Sequence, residues 1–384
     1  MNMKKLKKII AIILTIIIMT ATMGCLPQGQ ENLDDDLKGN KTQTPDKTQV
    51  SQQETQGNEQ EIPSSFQDDS DENVIFNASV ELPEKVKEGK LSYGDADFMR
   101  LDPDAVASAL SNYLADENYI TDEEQFSNDL TLYHYSYTPK NMKDRINLND
   151  SGAVLRFYSP YSSAISYIFH NDVNNKTYYN ADKFGSEDLP FATKEEVLKE
   201  LTDIVNGLGI EVLDEYEIYS LSKEKLDEEQ ERLGAIDSTL FDNKEVAAID
   251  GWEDCYRITL RPSFEGIKML DETFSFKSYD GAITPARVDA IVTKDGLKML
   301  EVESYAFVDG TLVTEPIISL EDAANSLKQA YSMVILDAPI EIDNISMCYI
   351  VWDTKLKPAY QFHGSQDGVS MTYYIDAVTG EQII

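Results

Sequence analysis

Tyr360-Gln361-Phe362-His363 and Val369-Ser370-Met371-Thr372-Tyr373-Tyr374-Ile375-Asp376 flank the dipeptide Asp367-Gly368 near the end of a 384-residue chain. Both flanks carry β-branched and aromatic residues at a period of two. An Asp-Gly pair between such runs favours a two-residue hairpin turn, because both central residues of a type I′ turn need positive φ. Residues 288–293 and 297–307 flank Asp295-Gly296 in the same way, and Asp280-Gly281 and Asp309-Gly310 punctuate the same region. The sheet is therefore read as hairpin-built and antiparallel.

Between the strand runs the period changes to that of a helix. Asp102-Pro103-Asp104 places a capping residue before a proline at the first helical position, followed by Val106, Ala109, Leu110, Tyr113 and Leu114. Thr193-Lys194-Glu195-Glu196 is a capping box, with Val197, Leu198, Leu201, Ile204, Val205 and Leu208 as its apolar stripe and Gly209 as its stop. Ser319-Leu320-Glu321-Asp322 opens a third helix, with Ala323, Leu327, Ala330, Tyr331 and Val334 on one face. A charged segment over 222–233 is read as a surface helix. Helices alternating with hairpin-linked strands predict an α+β fold of antiparallel sheets with helices packed on one face. The order of helix, Cys-Tyr strand and hairpin occurs after Thr193 and again after Ser319, a degenerate helix-plus-sheet repeat. A looser copy starts at Asp102, with strands over 153–158 and 164–170.

At the amino terminus, Lys4, Lys5, Lys7 and Lys8 precede an apolar run over 9–19 that ends in small residues. That is the n-region and h-region of an export signal. It falls short of the roughly 20 residues that span a bilayer. Residues 25–72 are almost wholly polar and read as a disordered acidic tether. Within it, Asp34-Asp35-Asp36-Leu37-Lys38-Gly39 starts like a calcium loop, but Pro45 stands where the bidentate Glu is required. The expected organisation is a signal peptide over 1–24, the tether over 25–72, an N-terminal α+β domain over 73–190 and a C-terminal α+β domain over 191–384. The last has halves at 193–318 and 319–384, and the boundary is set at Leu189-Pro190.

With 33 Lys plus Arg against 69 Asp plus Glu, the formal net charge is −36. Such a body repels phosphate backbones and anionic headgroups, so nucleic acid is excluded as a partner. Basic peptides remain compatible. Cys255 and Cys348 sit in similar strand-like contexts and are read as buried small hydrophobes.

Thr22-Met23-Gly24-Cys25 resembles the bacterial lipobox. The resemblance implies a diacylglyceryl anchor on Cys25 and a place on the extracytoplasmic face of the membrane, in a Gram-positive-type cell. At the other end, Tyr373-Tyr374-Ile375-Asp376-Ala377-Val378-Thr379-Gly380-Glu381, with Pro358-Ala359-Tyr360-Gln361-Phe362 before it and the helix from Ser319, resembles PepSY-type and YycI/YycH-like extracytoplasmic modules. The resemblance covers about the last 65 residues. It implies a noncatalytic module that engages an envelope protein such as a sensor kinase or a peptidase. The Asp-Ala-x-Thr-Gly run also has a structural reading, in which Asp376 caps a turn and Gly380 takes the left-handed position.

The chain lacks the usual signatures of catalysis. His134, His170 and His363 do not fall in a metal-protease or zinc-finger spacing, so no metal and no cofactor are expected. Gly364-Ser365-Gln366-Asp367-Gly368 misplaces its serine for a nucleophile elbow and reads as a loop. Asp and Glu are so abundant that a carboxylate pair for hydrolysis carries no signal, and an unrecognised carboxylate-dependent hydrolase stays open. Tyr133, Tyr135, Tyr137, Tyr158, Tyr161 and Tyr167 define a candidate binding surface for a solute or glycan, the alternative to an interaction module. On strands, tyrosines also pack at half-buried sheet edges.

Overall fold

The structure, a computed structural model, describes residues 62–98, 101–127, 130–149, 154–172, 177–179, 183–236, 249, 251–270, 274–275, 282–283, 286–303, 306–308, 311–352 and 355–383. Cys25, the signal segment, the tether as far as residue 61, Asp280-Gly281 and Asp309-Gly310 lie outside the described residues.

The first strands in chain order are β1 (Ser65–Asp68), β2 (Val74–Glu81), β3 (Lys90–Phe98), β4 (Leu114–Ser127), β5 (Leu130–Pro139), β6 (Arg145–Asn149) and β7 (Val154–Tyr158). Then follow β8 (His170–Asp172), β9 (Thr177–Tyr179), β10 (Val212–Leu221), β11 (Cys255–Phe264), β12 (Ile267–Lys268), β13 (Phe274–Ser275) and β14 (Ala282–Ile283). The last are β15 (Arg287–Thr293), β16 (Gly296–Glu303), β17 (Ala306–Val308), β18 (Val313–Pro316), β19 (Ile340–Trp352), β20 (Lys355–Gln366) and β21 (Val369–Asp376). The helices are α1 (Pro103–Ala109), α2 (Pro160–Phe169), α3 (Lys194–Gly207), α4 (Lys223–Ile236) and α5 (Leu320–Tyr331).

Two large sheets result, and the class is α+β with antiparallel pairing. One sheet has the order β10-β11-β15-β16-β7-β6-β5-β4, with β12 beside β11. The other runs β1-β2-β19-β20-β3-β17, with β21 beside β20 and β18 beside β3. The parallel pair β2 with β19 is an exception within it. The helix-plus-meander order recurs three times: α1 before β4 to β7, α3 before the strands from β10 to β16, and α5 before β19 to β21.

The boundary expected at Leu189-Pro190 is crossed by both sheets. Strands β2 and β3 are completed by β19 and β20, and β7 by β16. Thr55–Ile384 accordingly forms one unit. The physical reason is burial: Val74, Phe76 and Leu91 from the front of the chain share one core with Ile340, Ile345 and Phe362 from its end. Residues 62–72, expected in the tether, belong to the fold, because Phe66 packs edge-on to Phe76 with ring centroids 5.4 Å apart.

In the nine-stranded sheet the helices occupy both faces. Val106 of α1 and Leu201 of α3 join the core on the face of Tyr256, Ile258 and Phe157. Ile165 of α2 and Leu226 and Leu233 of α4 cover the face of Cys255, Ile291 and Met299. The charged helix expected at the surface thus buries an apolar stripe.

Several boundaries differ from the sequence reading. α1 ends at Ala109, and Leu114 opens a long strand instead of a fourth helical turn. Residues 164–169, expected as strand, are helical. Ser159 caps them by accepting from the Tyr161 amide at 3.2 Å, Pro160 stands at the helix start, and Ala164, Ile165 and Ile168 face one core. α5 stops at Tyr331, so Val334 leaves the apolar face assigned to it. Gly364, Ser365 and Gln366 continue β20, and the turn is confined to Asp367 (φ 50°) and Gly368 (φ 76°). Thr293 pairs with Gly296, so the second hairpin turns on Lys294 and Asp295, one residue earlier than expected.

Candidate interaction surface

The six tyrosines singled out by sequence do not share one surface. Tyr133, Tyr135 and Tyr137 alternate along one face of β5. Tyr137 is buried on the α1 side and donates to the Pro103 carbonyl at 3.0 Å. Tyr137 stands opposite Ile146, which stands opposite Phe157. Tyr158, the next residue, must therefore point to the other face. Tyr161 lies on that second side in α2, its ring 5.2 Å from Trp252 in a T-shaped contact. The side chain of Tyr167 lies outside the described residues, as does that of His170. His134 and His363 belong to different sheets. No disulfide joins Cys255 and Cys348, which are buried in separate apolar clusters.

The second face of the nine-stranded sheet carries a cross-strand polar row. Glu217, Thr259, Asp289, Glu301 and Arg156 stand opposite one another in successive strands. Thr259 donates to Asp289 at 2.6 Å and Arg287 to Asp289 at 2.8 Å; Arg156 donates to Glu301 at 3.0 Å and Tyr158 to the same oxygen at 2.6 Å. Burial lifts the Glu301 carboxyl above its ordinary range, against the pull of the Tyr158 hydrogen bond. Burial likewise raises the Tyr158 phenol, with the Glu301 hydrogen bond adding to it. The carboxylates most suggestive of acid-base chemistry are thus already held by arginines and hydroxyls. Such an arrangement stabilises a half-covered sheet face.

A different kind of surface closes one end of the eight-stranded sheet. Asp68 pairs with Phe76, Val74 with Ile340, Ile340 with Gln366, and Gln366 with Val369. The connections 69–73, 332–339 and 367–368 therefore meet at this end. Met333 and Ile335 are 93% and 99% exposed, and Val334 and Val369 are exposed beside them. The backbone under them is pinned. Asn73 donates from Nδ2 to the carbonyls of Tyr331 at 2.9 Å and Val334 at 3.2 Å, and Gln366 donates to the Ala338 carbonyl at 2.9 Å. Asp69, Asp71, Glu72, Asp337 and Asp367 lie in the same connections, which contain no Lys or Arg. A cavity of about 580 Å³ opens between Glu72, Asn73 and the 332–339 segment. Apolar side chains are thus exposed over a pinned backbone, in connections that also carry carboxylates. Sequence reading missed it because the Met-Val-Ile-Leu run after Tyr331 passes for a continuation of the helix.

Among the described residues no group of three or more His, Cys, Asp or Glu is placed to hold a metal ion, and no helix is long and apolar enough to cross a membrane.

These features define a two-sheet α+β protein with a built apolar tip. The fold is similar to that of an uncharacterized protein from Eubacterium rectale, at 15% identity and a TM-score of 0.52, covering 84% of this chain and 94% of that one. A more distant neighbour is the YpeB C-terminal domain of Bacillus megaterium, at 10% identity and a TM-score of 0.28, covering 74% of this chain and 96% of that one. No family model and no curated protein matches the sequence.

Proposed function

We propose that this chain is a noncatalytic surface lipoprotein, held by a diacylglyceryl group on Cys25 at the extracytoplasmic face of a Gram-positive-type membrane. In this reading it acts as an interaction or regulatory module, and α5 with β19 to β21 forms its PepSY-like part. The observation that carries the proposal is the tip formed by Met333, Val334 and Ile335, whose backbone is fixed by Asn73 while its side chains remain in solvent. The signal segment and the Thr22-Met23-Gly24-Cys25 run support export and anchoring. The carboxylates of the same connections favour an envelope protein with a basic rim over an anionic lipid surface.

Chemical crosslinking on intact cells, comparing the native protein with a Met333→Ser/Ile335→Ser variant, tests the reading. One envelope protein captured by the native chain and lost with the variant supports it; equal capture by both refutes it. A Cys25→Ala variant should in addition move from the membrane fraction to the medium.

A further inference from the structure

Strand β4 ends the nine-stranded sheet, and among the described residues it pairs with β5 alone. An edge strand turns the N–H and C=O groups of alternate residues away from the sheet, a ready template for another strand. The longer of the other edges are each bridged by a further segment of the chain. The Ser220 amide of β10 donates to the Gly185 carbonyl at 2.8 Å, and the Ile383 amide donates to the Tyr374 carbonyl of β21 at 2.8 Å. β4 runs for 14 residues, where strands usually have about 3 to 10, and it contains neither proline nor lysine, two common guards of a free edge. Its register with β5 is continuous over residues 119–125. The shifts that would twist an edge out of reach flank this stretch and leave it regular.

The side chains of β4 set the chemistry of the strand that fits. Asp116, Glu117, Asp122, Glu123 and Glu124 lie in it with no Lys or Arg, and β5 beside it has no Asp, Glu, Lys or Arg. Asp122 and Glu123 are exposed and consecutive, so they point to opposite faces and an incoming strand meets a carboxylate on each. Ile120 stands opposite Ser136, Ser136 opposite Asn147 and Asn147 opposite Arg156, which places Ile120 on the second face of the sheet. It is 65% exposed and ends that row with an uncovered apolar side chain. A second copy of β4 would set these carboxylates against their own kind, and like charges across a strand pair destabilise it. An acidic strand is disfavoured for the same reason. A basic strand meets opposite charge on both faces and can cover Ile120 with an apolar residue of its own. We infer that the outer edge of β4, over residues 119–125, takes up an extended basic segment of another protein as a further strand of this sheet. Main-chain hydrogen bonds supply the affinity, and the carboxylates select the sign of the partner. The site belongs to the nine-stranded sheet and stands independently of the tip.

The test titrates the full chain with an alternating Lys-Val decapeptide, with a counterpart of equal charge carrying two consecutive prolines at its centre, and with an alternating Glu-Val decapeptide. Hydrogen exchange of the β4 amides is followed alongside binding. The expected result is saturable binding of the Lys-Val peptide that weakens with salt and slows exchange within residues 119–125. The proline counterpart keeps the charge but lacks amides for the ladder whichever way it faces, and should bind at least about tenfold more weakly. The Glu-Val peptide should not bind. Asp122→Lys/Glu123→Lys should weaken the Lys-Val peptide about tenfold at an unchanged urea midpoint. If that variant does not fold, Asp122→Asn/Glu123→Gln decides, with an expected loss of about threefold. Equal binding of the proline or Glu-Val peptide, protection confined to strands other than β4, an affinity indifferent to these substitutions, or no saturable binding overturns the proposal. So does β4 protection that rises with chain concentration before peptide is added, which would make this edge an interface with a second copy.

Discussion

Asp376 shows how much one side chain can settle. It is fully buried, accepts from the amides of Val378 at 2.9 Å and Thr379 at 3.0 Å, and lies 3.0 Å from Lys357 Nζ; Gly380 follows at φ 75°. The capped turn was legible in Asp-Ala-x-Thr-Gly, because an acceptor and a left-handed residue at that spacing leave few alternatives. Asp376→Ala leaves Lys357 uncompensated and should cost about 3 to 5 kcal/mol, read as a lower urea midpoint. Asp68 gives a pH signature instead. The hydrogen bond from Lys328 and those from Ser70 hold its carboxyl at about 2, below the ordinary 3.8. A depressed folded-state value means that the stabilisation is complete above about pH 4 and disappears as the pH falls through 2. The stability deficit of Asp68→Asn against the parent should therefore be full near neutrality and vanish near pH 2, measured by urea unfolding across that range. Tyr133, Tyr135, Tyr137 and Tyr158 were legible only as strand residues, and Tyr161 and Tyr167 fall in α2 instead. Which face each one takes depends on a register that places Tyr137 across from Ile146 and sends Tyr158 the other way.

The strongest local signals placed their elements, while weaker ones and distant contacts did not. α3 carries the full capping box, with Thr193 and Glu196 each satisfying the other's amide. Thr193→Ala should lower stability by about 1 kcal/mol. The Asp367-Gly368 hairpin formed where positive φ demanded it. Residues 164–169 were misread because Ala, Ile and Phe suit either period, and the deciding feature was the Ser159-Pro160 start. Gly364 carries a constraint that no local pattern reveals: β20 crosses a bulge in β19 there, and a Cβ would overlap the carbonyl oxygen of Glu341. Gly364→Ala should destabilise by about 1 to 3 kcal/mol, the usual range for overpacking, with the midpoint of thermal unfolding as the check.

At the scale of the molecule, the front of the chain is folded by its end. Sequence periodicity cannot report that β2 and β3 wait for β19 and β20, since nothing in residues 74–98 names a partner some 250 positions away. A chain ended before Ser319 should consequently lose hydrogen-exchange protection in β2 as well as the deleted strands, so the tip is better tested by substitution than by truncation. Its pinned backbone, exposed Met333 and Ile335 and nearby carboxylates are the basis of the proposal that this end of the sheet docks on another envelope protein. The most direct measurement places a photoreactive residue at Val334 and, in a separate chain, at exposed Val313 as control, and irradiates intact cells at low and high salt. A single envelope protein captured from Val334 but not from Val313, and captured less at high salt as a basic rim requires, is the expected result. Identical capture from both positions, or no specific adduct from Val334, would contradict it.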